Sequence, residues 1–308
     1  MPQEKSTPPM TQIDLKPSFK TVSGKPLLMG TGSGTKWKDM KRADASTAKI
    51  VEDQIKMTLD QGFYHIDTAE FYTTEEEVGN AVKTAKLNRE DIWITTKYGP
   101  MSKTSGPVEA LQNGLKALQM SYVDAYFIHV NKFAVATNGL TLETCWKQMC
   151  ECKKLGLTRY LGVSNFSVES LEIVTKISKE YGDDYLPKFN QVEFHPYLQN
   201  QWPGLYDYCQ SHDILIEAYG PLTPLSRIET PHPLTAILAE LAKKYGKTDA
   251  QLLLRWTLQK NVLPITTSSN PERIKQALEV YDFELAEEDF DLIDKVDFVH
   301  QAFTFVKK

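Results

Sequence analysis

The segment Tyr64-His65-Ile66-Asp67-Thr68-Ala69-Glu70-Phe71-Tyr72 joins a short apolar run to two chemically active side chains. Residues 62–66 begin at a glycine that follows a helical pattern, and they predict a short buried strand. Asp67 stands at the end of that strand, and Tyr72 follows five positions later in the loop. A carboxylate and a phenol in this arrangement can project into one cleft. The segment therefore predicts a strand of a parallel sheet with reactive groups at its end.

Two further polar residues follow strands of their own. Lys97 comes directly after the predicted strand 91–96, and His129 comes directly after the predicted strand 122–128. Parallel neighbouring strands end at the same edge of a sheet. We therefore expect both side chains to lie beside the carboxylate and the phenol of the first segment.

Each of these four residues also has an ordinary interpretation. Asp67 could cap a helix, and Tyr72 could be one of many aromatic residues at a rim. Lys97 could be a surface cation, and His129 could be a hydrogen-bonded core histidine. Their shared position after successive strands favours a common site over four independent roles.

Strands and helices alternate along the chain after a predicted hairpin at residues 19–28. Such alternation implies parallel pairing, and eight strands favour a closed (β/α)8 barrel with an N-terminal β-hairpin and an extra C-terminal helix at 284–299. The glycine-rich residues 30–34 are interpreted as a flexible rim, because the next predicted helix begins only at residue 46. A doubly wound sheet is the weaker alternative, since no G-x-G-x-x-G connects the first strand to a helix. The predicted strands are 27–30, 62–66, 91–96, 122–128, 158–162, 189–192, 214–218 and 262–264.

Composition limits the class of protein. The 308 residues are 41% hydrophobic and 24% charged, with a net charge of -5, so no basic surface for nucleic acid is expected. No apolar run is long enough to span a membrane. Residues 1–18 predict a flexible arm, and residues 19–308 predict a single domain. We expect a cytoplasmic protein that is a monomer or a weak dimer.

The four cysteines predict neither disulfides nor a metal site. They form no Cys-x-x-Cys pair, and no histidine stands at zinc-finger spacing from them. Reduced, partly buried thiols in the cytoplasm are the interpretation that fits this pattern. The residues are Cys145, Cys150, Cys152 and Cys209.

The four strand-end groups together suit the reduction of a carbonyl. A phenol with a pKa of about 10 is a poor acid or base near neutral pH. A neighbouring lysine would stabilise the phenolate and lower that pKa, and a carboxylate would hold the lysine in place. An imidazole can orient the carbonyl oxygen. No side chain supplies a hydride, so a nicotinamide cofactor is implied.

Several ordered motifs of this sequence resemble the aldo-keto reductase family, with the likeness running from about Phe19 to Val296. The resemblance implies a barrel enzyme that uses NADPH to reduce small carbonyl compounds, acting on CH-OH and C=O groups. It implies Tyr72 as general acid, Lys97 and Asp67 as its tuning pair, and His129 as the group that orients the carbonyl. The motifs are Tyr64-His65-Ile66-Asp67-Thr68-Ala69, Thr95-Thr96-Lys97-Tyr98, Phe127-Ile128-His129, Gly162-Val163-Ser164-Asn165-Phe166, Gln191-Val192-Glu193-Phe194-His195-Pro196 and Glu217-Ala218-Tyr219-Gly220-Pro221-Leu222.

The resemblance also implies contacts with the cofactor. Amide and hydroxyl groups would bind the nicotinamide carboxamide, Tyr219 would stack under the ring, and hydroxyls with a guanidinium would bind the 2′-phosphate. Ordinary alternatives are a rim aromatic at Tyr219, a helix cap at Ser164-Asn165 and a capped turn before Pro271. The implied cofactor residues are Thr35, Asp67, Ser164, Asn165, Gln191, Tyr219, Pro221, Leu222, Thr266, Thr267, Ser268, Ser269 and Arg273.

The segments 34–37, 197–201 and 212–219 resemble a narrower group within this family, the fungal conjugated polyketone and α-keto amide reductases. That group reduces conjugated polyketones, ketopantoyl lactone and α-keto amides. Many relatives carry a lysine where Thr267 stands, which weakens the expected preference for NADPH. Trp37 and His129 are the candidate walls of the substrate pocket, although Trp37 could equally be a surface-loop aromatic.

Two alternative functions are compatible with the same residues. A general aldehyde or sugar reductase would share the mechanism and differ only in the pocket. A nicotinamide-sensing binding protein would use the barrel without turnover. The complete set of four strand-end groups favours catalysis over sensing.

Overall fold

Eight parallel strands form a closed barrel in which every strand pairs with its neighbours in sequence and the last pairs with the first. The computed structural model describes residues 15–34, 36–99, 102–131 and 139–303. The predicted (β/α)8 barrel is confirmed. The strands are β1 (Gly30–Gly32), β2 (His65–Asp67), β3 (Trp93–Tyr98), β4 (Val123–Ile128), β5 (Thr158–Ser164), β6 (Phe189–Glu193), β7 (Leu215–Tyr219) and β8 (Val262–Thr266).

Helices surround the barrel and follow the predicted pattern, with differences at their ends. The C-terminal helix is shorter than the predicted 284–299. None of the helices in the described ranges is both long and apolar enough to cross a membrane. The α-helices are Lys36–Ala43, Ala48–Asp60, Glu75–Ala85, Pro107–Leu118, Leu142–Lys154, Val168–Ser178, Leu205–Ser211, Thr223–Ser226, Pro233–Tyr245, Asp249–Gln259, Pro271–Leu278 and Glu287–Asp294.

The first strand lies later than predicted, within the glycine-rich run that the sequence suggested was a rim. β1 is Gly30–Gly32 rather than 27–30. A Cβ at Gly30 would lie 2.6 Å from Ile265 and 2.8 Å from the His65 ring, so only a glycine lets this strand approach its two neighbours. The glycine at position 30, which weakened the strand pattern, is what allows β1 to approach its neighbours here.

A helix that the sequence analysis missed follows β1. The segment Lys36–Ala43 is helical, whereas it was predicted to belong to the loop before residue 46. Tertiary contacts hold this helix on the barrel. The ammonium of Lys41 lies 2.6 Å from Glu77, and the guanidinium of Arg42 donates to the carbonyl of Phe71 and lies over its ring.

The N-terminal hairpin closes the end of the barrel opposite the predicted site. Its strands are reduced to a single antiparallel bridge between Lys20 and Pro26. The buried Phe19 ring lies 4.4 Å from the ring of Phe189 and 5.1 Å from that of Tyr160, measured between centroids. Burying such a ring contributes roughly 1.5–3 kcal/mol to the free energy of folding, so the hairpin stabilises the barrel.

The predicted N-terminal arm lies mostly outside the described residues, which begin at residue 15. The last residues of that arm are attached to the barrel. Leu15 is buried, and the backbone of Lys16 exchanges two hydrogen bonds of 2.7 Å with the side chain of Asn261.

Side chains along β3 alternate between the barrel interior and the helices. Trp93 packs with the interior aromatic cluster, whereas Ile94 belongs to the core between strands and helices. The Thr96 hydroxyl reaches outward to donate to Glu75 at the start of a helix. Lys97 is the next residue, so the period of two directs its side chain into the barrel. Its position inside the strand, rather than after it, therefore places an ammonium at the barrel centre.

Candidate active site

The four predicted groups meet at the C-terminal ends of adjacent strands. Asp67 is the last residue of β2, and His129 directly follows β4. Tyr72 ends a 3-10 turn that follows β2, and Lys97 is the fifth residue of β3. The structure thus brings together side chains that the sequence places up to 62 positions apart.

Asp67 and Lys97 form a buried ion pair. The Lys97 ammonium donates to both Asp67 carboxylate oxygens, at 2.7 and 2.6 Å, and to the carbonyl of Thr68 at 2.9 Å. Lys97 has no exposed surface, and Asp67 is 3% exposed. Burial lowers the pKa of Lys97, but the charge and the hydrogen bonds of Asp67 oppose burial, and the pKa is raised overall. The ammonium is therefore charged and fixed.

The Tyr72 phenol lies against His129 and the lysine. Its oxygen is 3.5 Å from Nε2 of His129, and the Lys97 ammonium lies 5.2 Å from the centre of the tyrosine ring. Burial raises the pKa of Tyr72, and Lys97 opposes that shift without cancelling it. Burial and the lysine charge lower the pKa of His129 well below its usual range. The phenol and the imidazole are both neutral at neutral pH.

The direction of the Tyr72 shift corrects the expectation from sequence. Lys97 was expected to lower the pKa of the phenol, yet the net shift is upward because desolvation is the larger effect. Sequence reveals the partner charge, but it does not reveal the depth of burial. A phenol held neutral is the form that can donate a proton to a carbonyl oxygen.

One cavity of about 1330 Å³ opens above these groups. Asp67, Tyr72 and His129 line it, whereas Lys97 lies behind Asp67. Ser269 is not among the described residues that line the cavity, and Thr35 lies outside the described residues. The other implied cofactor residues also line it, namely Ser164, Asn165, Gln191, Tyr219, Pro221, Leu222, Thr266, Thr267, Ser268 and Arg273.

Amide and hydroxyl side chains on β5 and β6 form one polar wall of this cavity. The Gln191 amide donates to Asp67 at 2.8 Å, and the Ser164 hydroxyl donates to the backbone carbonyl of Gln191 at 2.7 Å. Asn165 has a left-handed backbone, with φ of 59°, and accepts a hydrogen bond of 2.8 Å from the hydroxyl of Tyr219. Ser167 caps the helix Val168–Ser178, so the alternative of a cap at Ser164-Asn165 is wrong.

Hydroxyl groups and a guanidinium line a second part of the cavity, after β8. The Thr267 hydroxyl donates to the carbonyl of Gly32 at 2.9 Å, which ties β8 to β1. Asn270 caps the helix Pro271–Leu278 by accepting from the backbone of Arg273, among others. The Ser268 hydroxyl accepts a hydrogen bond of 3.1 Å from the backbone of Asn270, so a capped turn precedes Pro271 as the ordinary alternative expected. Ser268 and Arg273 both line the cavity as well.

Trp37 does not line the large cavity. It is 4% exposed and packs in the core between the barrel and the helices. It borders a separate cavity of about 10 Å³ with Gln54 and Ser268. The structure therefore does not bring Trp37 to the site where the sequence analysis expected a pocket wall.

The C-terminal segment reaches this site, which the sequence analysis did not predict. Glu193, at the end of β6, accepts hydrogen bonds from the backbone of Ala302 at 2.7 Å and of Phe303 at 3.1 Å. The Phe303 ring meets Tyr219 edge to face, with 5.2 Å between centroids. No local pattern links residues so far apart in sequence.

A second missed residue is Glu217, in the middle of β7. Its side chain is buried and accepts a hydrogen bond of 2.8 Å from Gln191. One signal was available, because an acid within the apolar run Leu215–Tyr219 has no solvent to face in a parallel barrel strand.

The residues present fit a dinucleotide cofactor. One continuous cavity joins the amide wall at Gln191 to the hydroxyls and guanidinium near Arg273. Amides suit a carboxamide, and a guanidinium with hydroxyls suits a phosphate. The fold and the site define a barrel oxidoreductase that reduces carbonyl groups with a nicotinamide cofactor.

Comparisons with known proteins agree with this class. The model of the Aldo/keto reductase family matches residues 26–297, and the chain belongs to that family. It is 40% identical over 281 residues to the NADPH-dependent alpha-keto amide reductase of Saccharomyces cerevisiae, covering 90% of this chain and 88% of that protein. It is 36% identical to the NAD/NADP-dependent indole-3-acetaldehyde reductase of Schizosaccharomyces pombe, covering 87% and 91%.

A solved structure supports the same conclusion. The Bombyx mori aldo-keto reductase in complex with NADP superimposes with a TM-score of 0.74 at 30% identity, covering 91% of this chain and 92% of that one. The cofactor of the present protein is accordingly NADP(H), and its reaction is the NADP-dependent reduction of a carbonyl group.

Proposed function

We propose that this enzyme reduces activated ketones to alcohols, with Tyr72 as the proton donor. The proposed substrates are α-keto amides, conjugated polyketones and ketopantoyl lactone. The observation that carries this proposal is the position of the Tyr72 phenol beside the buried Lys97–Asp67 pair and His129, on the wall of a large cavity. The likeness to a yeast alpha-keto amide reductase supports the choice of substrate class.

Each of the four groups has a distinct role in the proposed reaction. The bound cofactor supplies the hydride. Tyr72 donates its proton to the carbonyl oxygen as negative charge develops there. The Lys97 ammonium stabilises the phenolate that remains, and Asp67 holds the ammonium in place. His129, neutral and 3.5 Å from the phenol, orients the carbonyl oxygen.

The cofactor roles implied by the family resemblance complete the proposal. Ser164, Asn165 and Gln191 would hold the carboxamide of the nicotinamide, because they present hydroxyl and amide groups along one wall. Tyr219 would provide a flat face for the ring. The hydroxyls of residues 266–269 and the Arg273 guanidinium would hold the 2′-phosphate, which supports NADPH over NADH.

The chemistry of the pocket favours an electron-poor carbonyl. A second carbonyl group next to the first withdraws electron density, so hydride addition becomes easier. The cavity wall includes apolar side chains, with Phe71, Val130 and Phe303 among its lining residues. Such a wall suits a compact diketone or cyclic lactone better than a polyhydroxylated sugar, whose hydroxyls would need partners.

Initial rates with a panel of carbonyl compounds would test the proposal. The panel contains isatin, an α-keto amide, ketopantoyl lactone, indole-3-acetaldehyde and an aldose, each with NADPH and with NADH. Oxidation of the cofactor is followed by loss of absorbance of the reduced nicotinamide. We expect kcat/KM to be highest for the activated ketones with NADPH. A higher kcat/KM for the aldehyde or the sugar would replace the proposal with a general aldehyde or sugar reductase.

We also propose a cytoplasmic enzyme that acts as a monomer or a weak dimer. The four cysteines are free buried thiols, which supports a reducing compartment. Sedimentation velocity at several protein concentrations would measure the oligomeric state.

A further inference from the structure

Glu217 is a carboxyl group inside the barrel that the proposed reaction does not use. It lies on β7 directly opposite Gln191 of β6 in the register of the sheet. Its side chain has no exposed surface. An acid in such a place costs stability when it is charged, unless a partner compensates the charge.

Gln191 connects this acid to the catalytic ion pair. Its amide nitrogen donates to Asp67 at 2.8 Å and to Glu217 at 2.8 Å. The two carboxyl groups therefore share one amide and lie within the range over which like charges act on one another. The other oxygen of Glu217 has no hydrogen-bond partner within the part of the chain that the structure describes.

The charges in this part of the barrel do not balance if both acids are ionised. Lys97 supplies one positive charge, and its ammonium is bonded to Asp67. Burial, followed by the charge of Asp67, raises the pKa of Glu217 to about 8, against smaller opposing effects of Gln191 and Lys97. Glu217 is therefore protonated at neutral pH, and Asp67 with Lys97 forms a neutral pair.

The two redox forms of the cofactor differ by one charge at the nicotinamide ring. The oxidised ring carries a positive charge, and the reduced ring is neutral. A positive charge brought into a barrel of low dielectric attracts a compensating negative charge more strongly than it would in water. Gln191 lines the cavity, and Glu217 lies directly behind its amide.

We propose that Glu217 is the counter-charge for the oxidised cofactor. Its carboxyl group releases its proton to solvent when the oxidised nicotinamide lies beside Gln191, and it keeps that proton when the reduced form is bound. This inference rests on the proposed function in one respect, namely that the nicotinamide occupies this wall of the cavity. Glu217 thereby becomes a positioning residue whose charge follows the redox state of the cofactor.

Other charged and titratable groups near Glu217 are alternative sources of the released proton. Asp67 and Lys97 pair with each other, and the raised pKa of Lys97 keeps it charged. His129 has a lowered pKa and is neutral in either cofactor state at neutral pH. Tyr72 is the one rival among these groups, because a positive ring nearby would also favour its ionisation.

Calorimetric titration in two buffers of different ionisation enthalpy, at pH 7, measures the protons released on binding. NADP+ and NADPH are titrated separately, so that ionisation of the 2′-phosphate is common to both and cancels in the difference. We expect NADP+ to release up to one proton more than NADPH from the wild-type enzyme. Glu217→Gln keeps an acceptor for the Gln191 amide, and we expect it to bind both cofactors without that difference.

The variant Tyr72→Phe tests whether the released proton comes from Tyr72 rather than from Glu217. We expect this variant to keep the wild-type difference, because Glu217 is intact. A difference that persists in Glu217→Gln and vanishes in Tyr72→Phe would overturn the inference. Equal proton release for NADP+ and NADPH in the wild type would overturn it as well. If neither cofactor bound, the proposed function would fail first, and the inference would fail with it.

A measurement on the wild type alone keeps the inference testable if Glu217→Gln does not fold. Fluorescence titration gives the Kd of each cofactor between pH 6 and 9. We expect the ratio of the Kd of NADP+ to that of NADPH to fall by up to about tenfold per pH unit below pH 8, and then to level off. A ratio that is independent of pH would contradict the inference.

Discussion

The Lys97 ammonium lies 2.6 Å and 2.7 Å from the two carboxylate oxygens of Asp67, where Lys97 has no exposed surface and Asp67 is 3% exposed. The pair joins β2 to β3 and holds the one ammonium beneath the Tyr72 ring. Glu217 lies nearby, so the lysine is the only compensating cation among these buried groups. Both the stability of the barrel and the proposed proton donation by Tyr72 therefore depend on the ion pair between Lys97 and Asp67.

Removal of the ammonium should destabilise the protein as well as inactivate it. Lys97→Met leaves Asp67 buried without its partner, and loss of one member of a buried pair costs about 3–5 kcal/mol. We expect the free energy of unfolding, measured with urea, to fall by that amount. The double variant Asp67→Asn/Lys97→Met removes the uncompensated charge, so it should recover part of the lost stability and remain inactive. A double variant no more stable than Lys97→Met would contradict a charge-based cause.

Removal of the Tyr72 hydroxyl should affect turnover and spare cofactor binding. A positioned acid contributes about 100- to 10,000-fold to the rate, and Tyr72→Phe should lose at least that much in kcat. Binding of NADPH, measured by quenching of protein fluorescence, should stay nearly unchanged. Tyr64→Phe is the matched control, since the Tyr64 hydroxyl donates to Pro26 in the hairpin. Normal turnover in Tyr72→Phe would remove Tyr72 from the proposed role.

The order of the strands was predictable because most elements carry their own local signal. Short apolar runs alternate with amphipathic helices, and this pattern favours a parallel barrel. The prediction was wrong where tertiary contacts decide the structure. β1 contains two glycines, Gly30 and Gly32, that only its neighbours explain. The helix Lys36–Ala43 is held by an ion pair to Glu77 in another helix and by the stacking of Arg42 on the Phe71 ring.

The four groups at the ends of strands were predictable for the same local reason, because each follows a recognisable strand. Glu217 was not predicted, since its partnership with Gln191 depends on the register between β6 and β7. Phe303 reaches the site through hydrogen bonds to Glu193, which lies 110 positions earlier in the chain. The net rise in the pKa of Tyr72 depends on burial, which no sequence motif contains.

Glu75 should make the stability of the protein depend on pH. It is half-buried at the start of the helix Glu75–Ala85 and accepts a hydrogen bond of 2.6 Å from Thr96. Burial raises its pKa from 4.5 to about 7, so the folded state binds the proton more tightly than the unfolded state. The resulting stabilisation is complete below pH 4.5, and it is lost as pH rises through about 7.

Replacement of Glu75 by glutamine should remove that dependence. As pH rises from 5 to 8, we expect the free energy of unfolding of Glu75→Gln to increase by roughly 1–3 kcal/mol relative to that of the wild type, because the variant has no carboxyl proton to lose. Thermal unfolding of both proteins across this range measures the difference, and contributions from all other groups cancel. Parallel curves of Tm against pH would show that Glu75 is not the group responsible.

The C-terminal segment rests on the carboxylate of Glu193. The backbone amides of Ala302 and Phe303 donate to its two oxygens, and His195 lies 3.1 Å from one of them. The Phe303 ring is held between Tyr219 and the guanidinium of Arg227, which lies 4.6 Å from the ring centre. One buried acid thus positions an aromatic wall of the cavity.

Replacement of Glu193 by glutamine should weaken the attachment of the C-terminal segment and so loosen the Phe303 ring on the cavity wall. The amide nitrogen of glutamine faces a backbone donor, so at least one charge-assisted hydrogen bond is lost, at a cost of about 1.5–3 kcal/mol. We expect KM for the ketone to rise by about tenfold or more while kcat changes little, and hydrogen exchange at Phe303 to become faster. Glu240→Gln is the control, since that exposed acid pairs with Lys243 at the surface. An unchanged KM together with unchanged exchange at Phe303 would mean that the segment is held by its ring contacts rather than by Glu193.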